Sequence, residues 1–219
     1  MLRADLHIHT EYSFDSKMPL ESIINRCLKL DINCVAIADH GTTAGALKMK
    51  EIAPFTVIVA HEILTPIGEI MGLFLTEDIP GGFSPEETIT RIKAQGGLVC
   101  LPHPFDRFRG IGRHYQEIER VIADIDIIEA FNSRVILKSY NKKAEIFAQK
   151  HGLPCSAGSD AHIPHEIGHA YIEMPEFNGS QEFCAALKEG NIFGRRSCPL
   201  VHVPTAWLEL KRRFLGKQY

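Results

Sequence analysis

Short apolar runs alternate with amphipathic segments along most of this chain, and few architectures accept that pattern. The apolar runs are RADLHIH (3–9), NCVAIAD (33–39), FTVIVAHEI (55–63), GLVCLPH (97–103), IDIIEAFN (125–132) and LPCSAGSD (153–160). Their length and near-continuous apolar character read as strands buried on both faces. Between them lie helical patterns. Leu20, Ile23, Ile24, Cys27, Leu28 and Leu30 share one side after Pro19. Ser84 precedes Pro85 and Glu87 as an N-cap with a capping box, and Gly96 follows as a stop. Residues 135–152 close on Lys150, His151 and Gly152, and 180–190 end at Gly190. Strand–helix alternation predicts a parallel sheet covered by helices, and six or seven such units in one chain favour a closed or nearly closed barrel. Segment 68–82 departs from the pattern. It reads as a strand antiparallel to its predecessor or as a lid-like insertion.

The ends of these runs carry polar residues of one kind. His7 and His9 end the first, Asp39 and His40 the second, His61 and Glu62 the third. His103 and Asn132 end the next two, and Asp160 and His162 follow the last. In parallel barrels the carboxyl ends of the strands converge on one face, where active sites sit. Side chains far apart in sequence would therefore meet. An isolated histidine is most often an ordinary core or surface residue, and an H-x-H pair alone is weak, but the combined pattern predicts a metal site. His7 and His9 can both face one ion only if the strand bends or ends at Ile8, because neighbours on a regular strand point to opposite faces. By the same rule His61 points away from Glu62. Mixed imidazole and carboxylate donors suit Zn, Mn or Fe rather than Ca or Mg alone.

Composition agrees. The chain has 219 residues, 45% hydrophobic and 23% charged, which suits one globular domain with a sizeable core. It holds eleven histidines, where ordinary usage of about 2% gives roughly five. The net charge of -3 supplies no global attraction for nucleic acid or an anionic membrane. No apolar run is long enough to span a bilayer. The N-terminus lacks the apolar core of a secretory signal, so a cytoplasmic protein with six reduced, mostly buried cysteines is expected.

The motifs ADLHIHTEYSFDS, IADHGTT, His61-Glu62, LPHP at 101–104 and GSDAH at 158–162 resemble the PHP (polymerase and histidinol phosphatase) domain in order and approximate spacing, over about residues 1–200. The resemblance implies an α/β fold, a distorted (β/α)7 TIM-like barrel, with two or three divalent metals at the carboxyl ends of its strands and phosphoester hydrolysis as the reaction. It implies one metal on His7, His9, Glu62 and Asp160, and a second on Glu62 and His103. A third would sit on Asp15, His40 and His162. Glu69 stands where relatives often have a histidine ligand, so the second ion meets a harder donor. Asp15, His162 and Glu62 are the expected catalytic residues.

Arginines near the strand ends are candidates for phosphate binding, because a guanidinium can hold two phosphate oxygens at once. Arg107, Arg109 and Arg134 are placed here with Asn132, and Arg113 lies nearby. His114, His151 and His202 look ordinary. The expected domain is 1–203, followed by a basic amphipathic helix at 204–219 packed on the barrel or on a partner. The expected substrate is a small phosphorylated metabolite or nucleotide. A nuclease or nucleotide-end processor with the same centre, and a non-catalytic metal-bound module, are the competing readings. A membrane role is not expected, and the oligomeric state is open.

Overall fold

A computed structural model of the chain describes residues 1–203 and 205–208, the side chain of Arg113 apart. The chain runs β1 (Leu2–Ile8), α1 (Leu20–Lys29), β2 (Cys34–Ile37), α2 (Ala44–Ile52), β3 (Thr56–Thr65) and β4 (Gly68–Leu73). Then come α3 (Pro85–Ala94), β5 (Leu98–Leu101), α4 (Tyr115–Val121), β6 (Ile127–Asn132) and α5 (Lys138–His151). It ends with β7 (Cys155–Gly158), β8 (Ala170–Met174), α6 (Gly179–Glu189) and β9 (Asn191–Gly194). The sheet order is β7-β6-β5-β4-β3-β2-β1-β8-β9. Past its strand end β1 also meets the chain that leaves β7: Ile8 bridges Ala161 in parallel, and the Asp160 amide donates to the His7 carbonyl at 2.8 Å. The first seven strands thus curl into a nearly closed, distorted TIM-like barrel. Strands β8 and β9, absent from the sequence reading, add an antiparallel flap that pairs with the start of β1.

Segment 68–82 begins as a strand, not as a lid. β4 runs antiparallel to both β3 and β5, with Ile63 opposite Ile70 and Met71 opposite Cys100. The two turn residues Pro66 and Ile67 explain this: so short a link can only reverse the chain.

Both faces of the sheet are covered. Val35, Ile37, Val57, Val59, Val99 and Leu101 pack with residues of the surrounding helices, among them Ile23, Met49, Ile92 and Phe147. The alternate positions Cys34, Ala36, Ala38, Ile58 and Ala60 pack with Phe183 of α6. Phe183 is fully buried between Phe74 and Phe177, edge-to-face to each. Residues Ala36, Ala38 and Ala60 are small, which leaves room beside them. His40 and Glu62 continue the same alternation from Ala38 and Ala60, which carries both towards the site. His61 takes the opposite face as expected, and its Nε2 accepts from the Gly41 amide at 3.0 Å.

The helix signals hold locally. Ser84 Oγ accepts from the Glu87 amide at 3.3 Å. The reciprocal half of the capping box is not seen; Glu87 instead accepts from Arg91 Nε at 2.8 Å, one turn on. Ser84→Ala should therefore lower unfolding free energy by about 1 kcal/mol, read as a shift of the urea midpoint. Gly152 ends α5 with φ 67, the left-handed C-cap that glycine adopts without strain. Six free cysteines are present, of which Cys27, Cys34 and Cys100 are buried and Cys198 is exposed. Of the expected C-terminal helix at 204–219, residues 205–208 are helical; Pro204 and 209–219 lie outside the described residues. No helix among the described residues is long and apolar enough to cross a membrane.

Candidate metal centre

The turn from β1 into the site resolves the H-x-H problem. The pairing of β1 with β2 slips register between Asp5 and Ile8, and the strand ends at Ile8. His9 then lies beyond the regular pleat, with its amide held by the Ala161 carbonyl at 2.9 Å. His7 Nε2 and His9 Nε2 consequently come within 3.1 Å of one another. Two other site residues sit on strained backbone: His103 at φ 24 and Asp160 at φ 55. Positive φ is costly for residues with a Cβ, and such strain tends to persist where a site needs a side chain aimed off the regular path.

Glu62 is the hub. Its Oε1 lies 2.8 Å from His103 Nε2. Its Oε2 lies 3.1 Å from His7 Nε2, 3.3 Å from His9 Nε2 and 3.5 Å from His40 Nε2. Asp160 Oδ1 lies 3.4 Å from His9 Nε2 and 3.9 Å from His7 Nε2. On the far side Asp15 Oδ2 lies 2.8 Å from His162 Nε2 and 3.7 Å from His40 Nε2. Glu69 Oε2 lies 3.4 Å from His103 Nε2. All nine side chains named for metal binding from the sequence are buried and brought to one place. Among the described residues four triads are close enough to hold an ion: His7–Glu62–His103, His7–His9–Asp160, His9–His40–Glu62 and His9–Asp15–His162. His40 groups with His9 and Glu62 more tightly than with Asp15 and His162.

Divalent ions fit this donor set. Asp160 Oδ1 and Glu69 Oε2 are buried oxygens with no hydrogen-bond partner, an arrangement that costs free energy unless a cation takes them. Burial opposes charge on His7, yet Glu62, Glu129 and Asp160 lift it well above the ordinary imidazole range. The carboxylates draw positive charge to that point. Burial also works against ionisation of Glu62, but His7 and His40 hold it well below the carboxylate range. Burial, reinforced by Glu62, pushes Glu69 well above it. For Asp160 the burial is outweighed by Arg109 and His7, which keep it ionised. Burial, opposed by Asp15, pushes His162 down to about 4, leaving the neutral imidazole that cations bind.

Sequence reasoning missed Glu129, a buried acid in the middle of β6. Its Oε1 accepts from His7 Nδ1 at 3.0 Å, and its Oε2 accepts from the His103 amide at 2.7 Å and Asn132 Nδ2 at 3.0 Å. This fixes the His7 ring with Nε2 towards the centre, the usual work of a carboxylate behind a ligand histidine. An acid inside the apolar run IDIIEAFN was the available signal. Asn132 itself is fully buried and donates to both Glu129 and Asp160. Ser13, also missed, donates to Asp15 Oδ1 at 2.6 Å and accepts from the His40 amide at 3.2 Å.

A cleft of about 480 Å³ opens above the centre, lined by Asp15, His40, Glu69, Arg109, Arg134 and His162, with Phe108 exposed at its edge. Arg109 Nη1 donates to Asp160 Oδ2 at 2.6 Å. Arg107 is exposed and is not among the residues that line the cleft. The Arg113 side chain lies outside the described ones. His114 and His202, read as ordinary, both line the cleft.

Comparison with known proteins finds relatives in sequence and in fold. A family model described as PHP domain matches residues 5–139, and one described as PHP-associated matches 138–192. An uncharacterised protein of Methanocaldococcus jannaschii is 36% identical over 180 residues, 81% of this chain and 72% of its own. A second from the same organism is 40% identical over 146 residues, 60% of this chain and 82% of its own. Among solved structures, a two-domain protein of Bacteroides vulgatus containing a predicted PHP-like metal-dependent phosphoesterase superposes with a TM-score of 0.70 at 15% identity, over 89% of this chain and 65% of that one. A lesion-specific endonuclease of Pyrococcus furiosus superposes with a TM-score of 0.65 at 20% identity, over 87% and 57%. This chain therefore spans less than two thirds of either solved protein, and at these identities the likeness concerns the fold.

Proposed function

Since this chain belongs to the PHP-domain family, we propose that it is a phosphoesterase that hydrolyses a small phosphorylated metabolite or nucleotide with two or three divalent ions, Zn, Mn or Fe. The observation that carries the reading is Glu62 at the centre of four imidazoles, with its two oxygens facing different partners. A carboxylate so placed suits a bridge between cations. His7, His9, Glu62 and Asp160 would hold one ion, and Glu62, His103 and Glu69 a second. Asp15, His40 and His162 would hold a third, with His9 close by. When bound, divalent ions lower the pKa of water and neutralise phosphoryl charge.

The chain's own residues supply the rest. Arg109 lines the cleft, and its Nη2 has no hydrogen-bond partner, lying 3.7 Å from Asp106 Oδ2. It can turn towards a phosphoryl oxygen while Nη1 keeps Asp160 in place. With only two ions bound, Asp15 and His162, in contact at the cleft wall, can together hand a proton through water to the leaving oxygen; with a third ion there, they are its ligands instead. Glu129 and Asn132 orient ligands from beneath. A cleft of about 480 Å³ suits a small ester.

Phosphate release measured over a panel of phosphorylated metabolites and mononucleotides, with Mn or Zn added, tests the reading. Turnover should vanish on chelation and return with metal, and chelation should also lower the melting temperature, since ions that bind only the folded chain stabilise it. Metal-replete protein inactive on the whole panel, with cleavage of oligonucleotides instead, would replace this reading with the nuclease one.

A further inference from the structure

One buried arginine ties the segment after β9 to the centre. Arg134 is 2% exposed. Its Nη1 donates to the Asp160 carbonyl at 3.4 Å and contacts His162 Nδ1. Its Nη2 donates to the Val201 carbonyl at 2.9 Å and to Thr205 Oγ1 at 2.7 Å. Nε lies 3.5 Å from Glu166 Oε1. The neighbouring backbone joins in. His202 Nε2 donates to the Arg134 carbonyl at 2.8 Å, and the Ser197 amide donates to the Ser133 carbonyl at 2.8 Å. Arg196 Nη1 donates to the Ile136 carbonyl.

The segment so held is a wall of the site. His202, Thr205 and Ala206 line the cleft. Thr205 also borders a second, open cavity of about 320 Å³, lined as well by Trp207, Leu208 and Ile163 and reaching Asp15 and His162. The segment stands between two spaces that both touch the proposed proton-transfer pair. It also lies beyond residues 5–192, the stretch that the family models match.

We infer that residues 197–203 and 205–208 belong to a strap that selects which esters the cleft admits, and that Arg134 is a positioning residue that holds this strap rather than a binder of substrate. Each terminal nitrogen of its guanidinium has two N–H groups and two partners. Nε is buried against Glu166, so a phosphate would have to reach a terminal nitrogen, and it could gain that hydrogen bond only by releasing the strap or the backbone around Asp160 and His162, which would leave buried polar groups unpaired. The selectivity half of the inference rests on the phosphoesterase reading. The anchoring half does not.

The test uses the full chain. Its single tryptophan, Trp207, sits on the strap and reports on it directly. Arg134→Gln, and Thr205→Val as a variant that leaves every proposed ligand contact intact, should lower Trp207 fluorescence anisotropy. Both should raise tryptic cleavage at Arg195 or Arg196 by about tenfold, as expected when an open form becomes more populated. Ala206→Phe should shift the ratio of kcat/KM for 4-nitrophenyl phosphate to that for glycerol phosphate by at least about fivefold. Arg134→Gln should shift the same ratio, where loss of a phosphate-binding residue would raise KM for both esters alike. Unchanged anisotropy and cleavage in both release variants would overturn the anchoring. An unchanged ester ratio in folded Ala206→Phe would overturn the selectivity. Wild type loaded with Mn yet inactive on both esters would sink the hydrolase reading and the selectivity with it, while anisotropy and cleavage still decide the anchoring.

Discussion

Glu62→Gln is expected to remove at least one metal ion per chain and to lower hydrolysis by more than about 100-fold, the upper end of what loss of a partner behind a ligand causes. The substitution keeps size and shape, but an amide has one acceptor oxygen and two donor hydrogens. Either His103, at 2.8 Å from Oε1, or the group of His7, His9 and His40 around Oε2 would then face an N–H. The charge that gathers four imidazoles would be gone too. Metal content by mass spectrometry and phosphate release together check this, with circular dichroism to confirm the fold. A variant that keeps full metal content and turnover would show that Glu62 is not the hub.

Gly158→Ala should disturb the same centre through packing alone. A Cβ at Gly158 would lie 2.2 Å from His7 Cβ, 2.8 Å from Glu129 Oε1 and 2.9 Å from the His7 amide nitrogen. Neither side can retreat freely. The His7 carbonyl accepts from the Asp160 amide at 2.8 Å, and the Gly158 carbonyl accepts from the Ser133 amide at 3.1 Å. Overpacking of this kind costs about 1–3 kcal/mol. In a domain of this size that is roughly 2–4 °C of melting temperature per kcal/mol. Metal affinity should fall as well, because His7 and Glu129 would be pushed apart. A melting temperature and metal content equal to wild type would mean that β1 and β7 have slack to separate.

These two expectations show where local pattern stops being informative. The rule that strand neighbours point to opposite faces is legible in the sequence, and it sets His61 away from Glu62. Ser84, Pro85 and Glu87 mark the start of α3, and Gly152 marks the end of α5. The strand-end residues His7, His9, His40, Glu62, His103, Asp160 and His162 are legible because a parallel barrel delivers every strand end to one face. The requirement for glycine at 158 is not legible, because it comes from how closely β7 approaches β1. Nor is the support that Glu129 gives to His7, 122 residues away.

The sequence alone thus determined the class of fold and the chemistry of the centre, since periodicity, capping and donor type depend on residues only a few positions apart. Tertiary structure decided which donors share a triad, which acid orients His7, and which segment walls the cleft. Those depend on strand register, on the slip between Asp5 and Ile8, and on barrel closure, all set by packing across the whole sheet. Arg134 shows the difference most plainly. Beside Asn132 in sequence it reads as a phosphate binder; in the folded chain its terminal nitrogens are taken up by Val201, Thr205, Asp160 and His162. No local pattern foretells that residues 67 and 71 positions further on will return to occupy one guanidinium nitrogen.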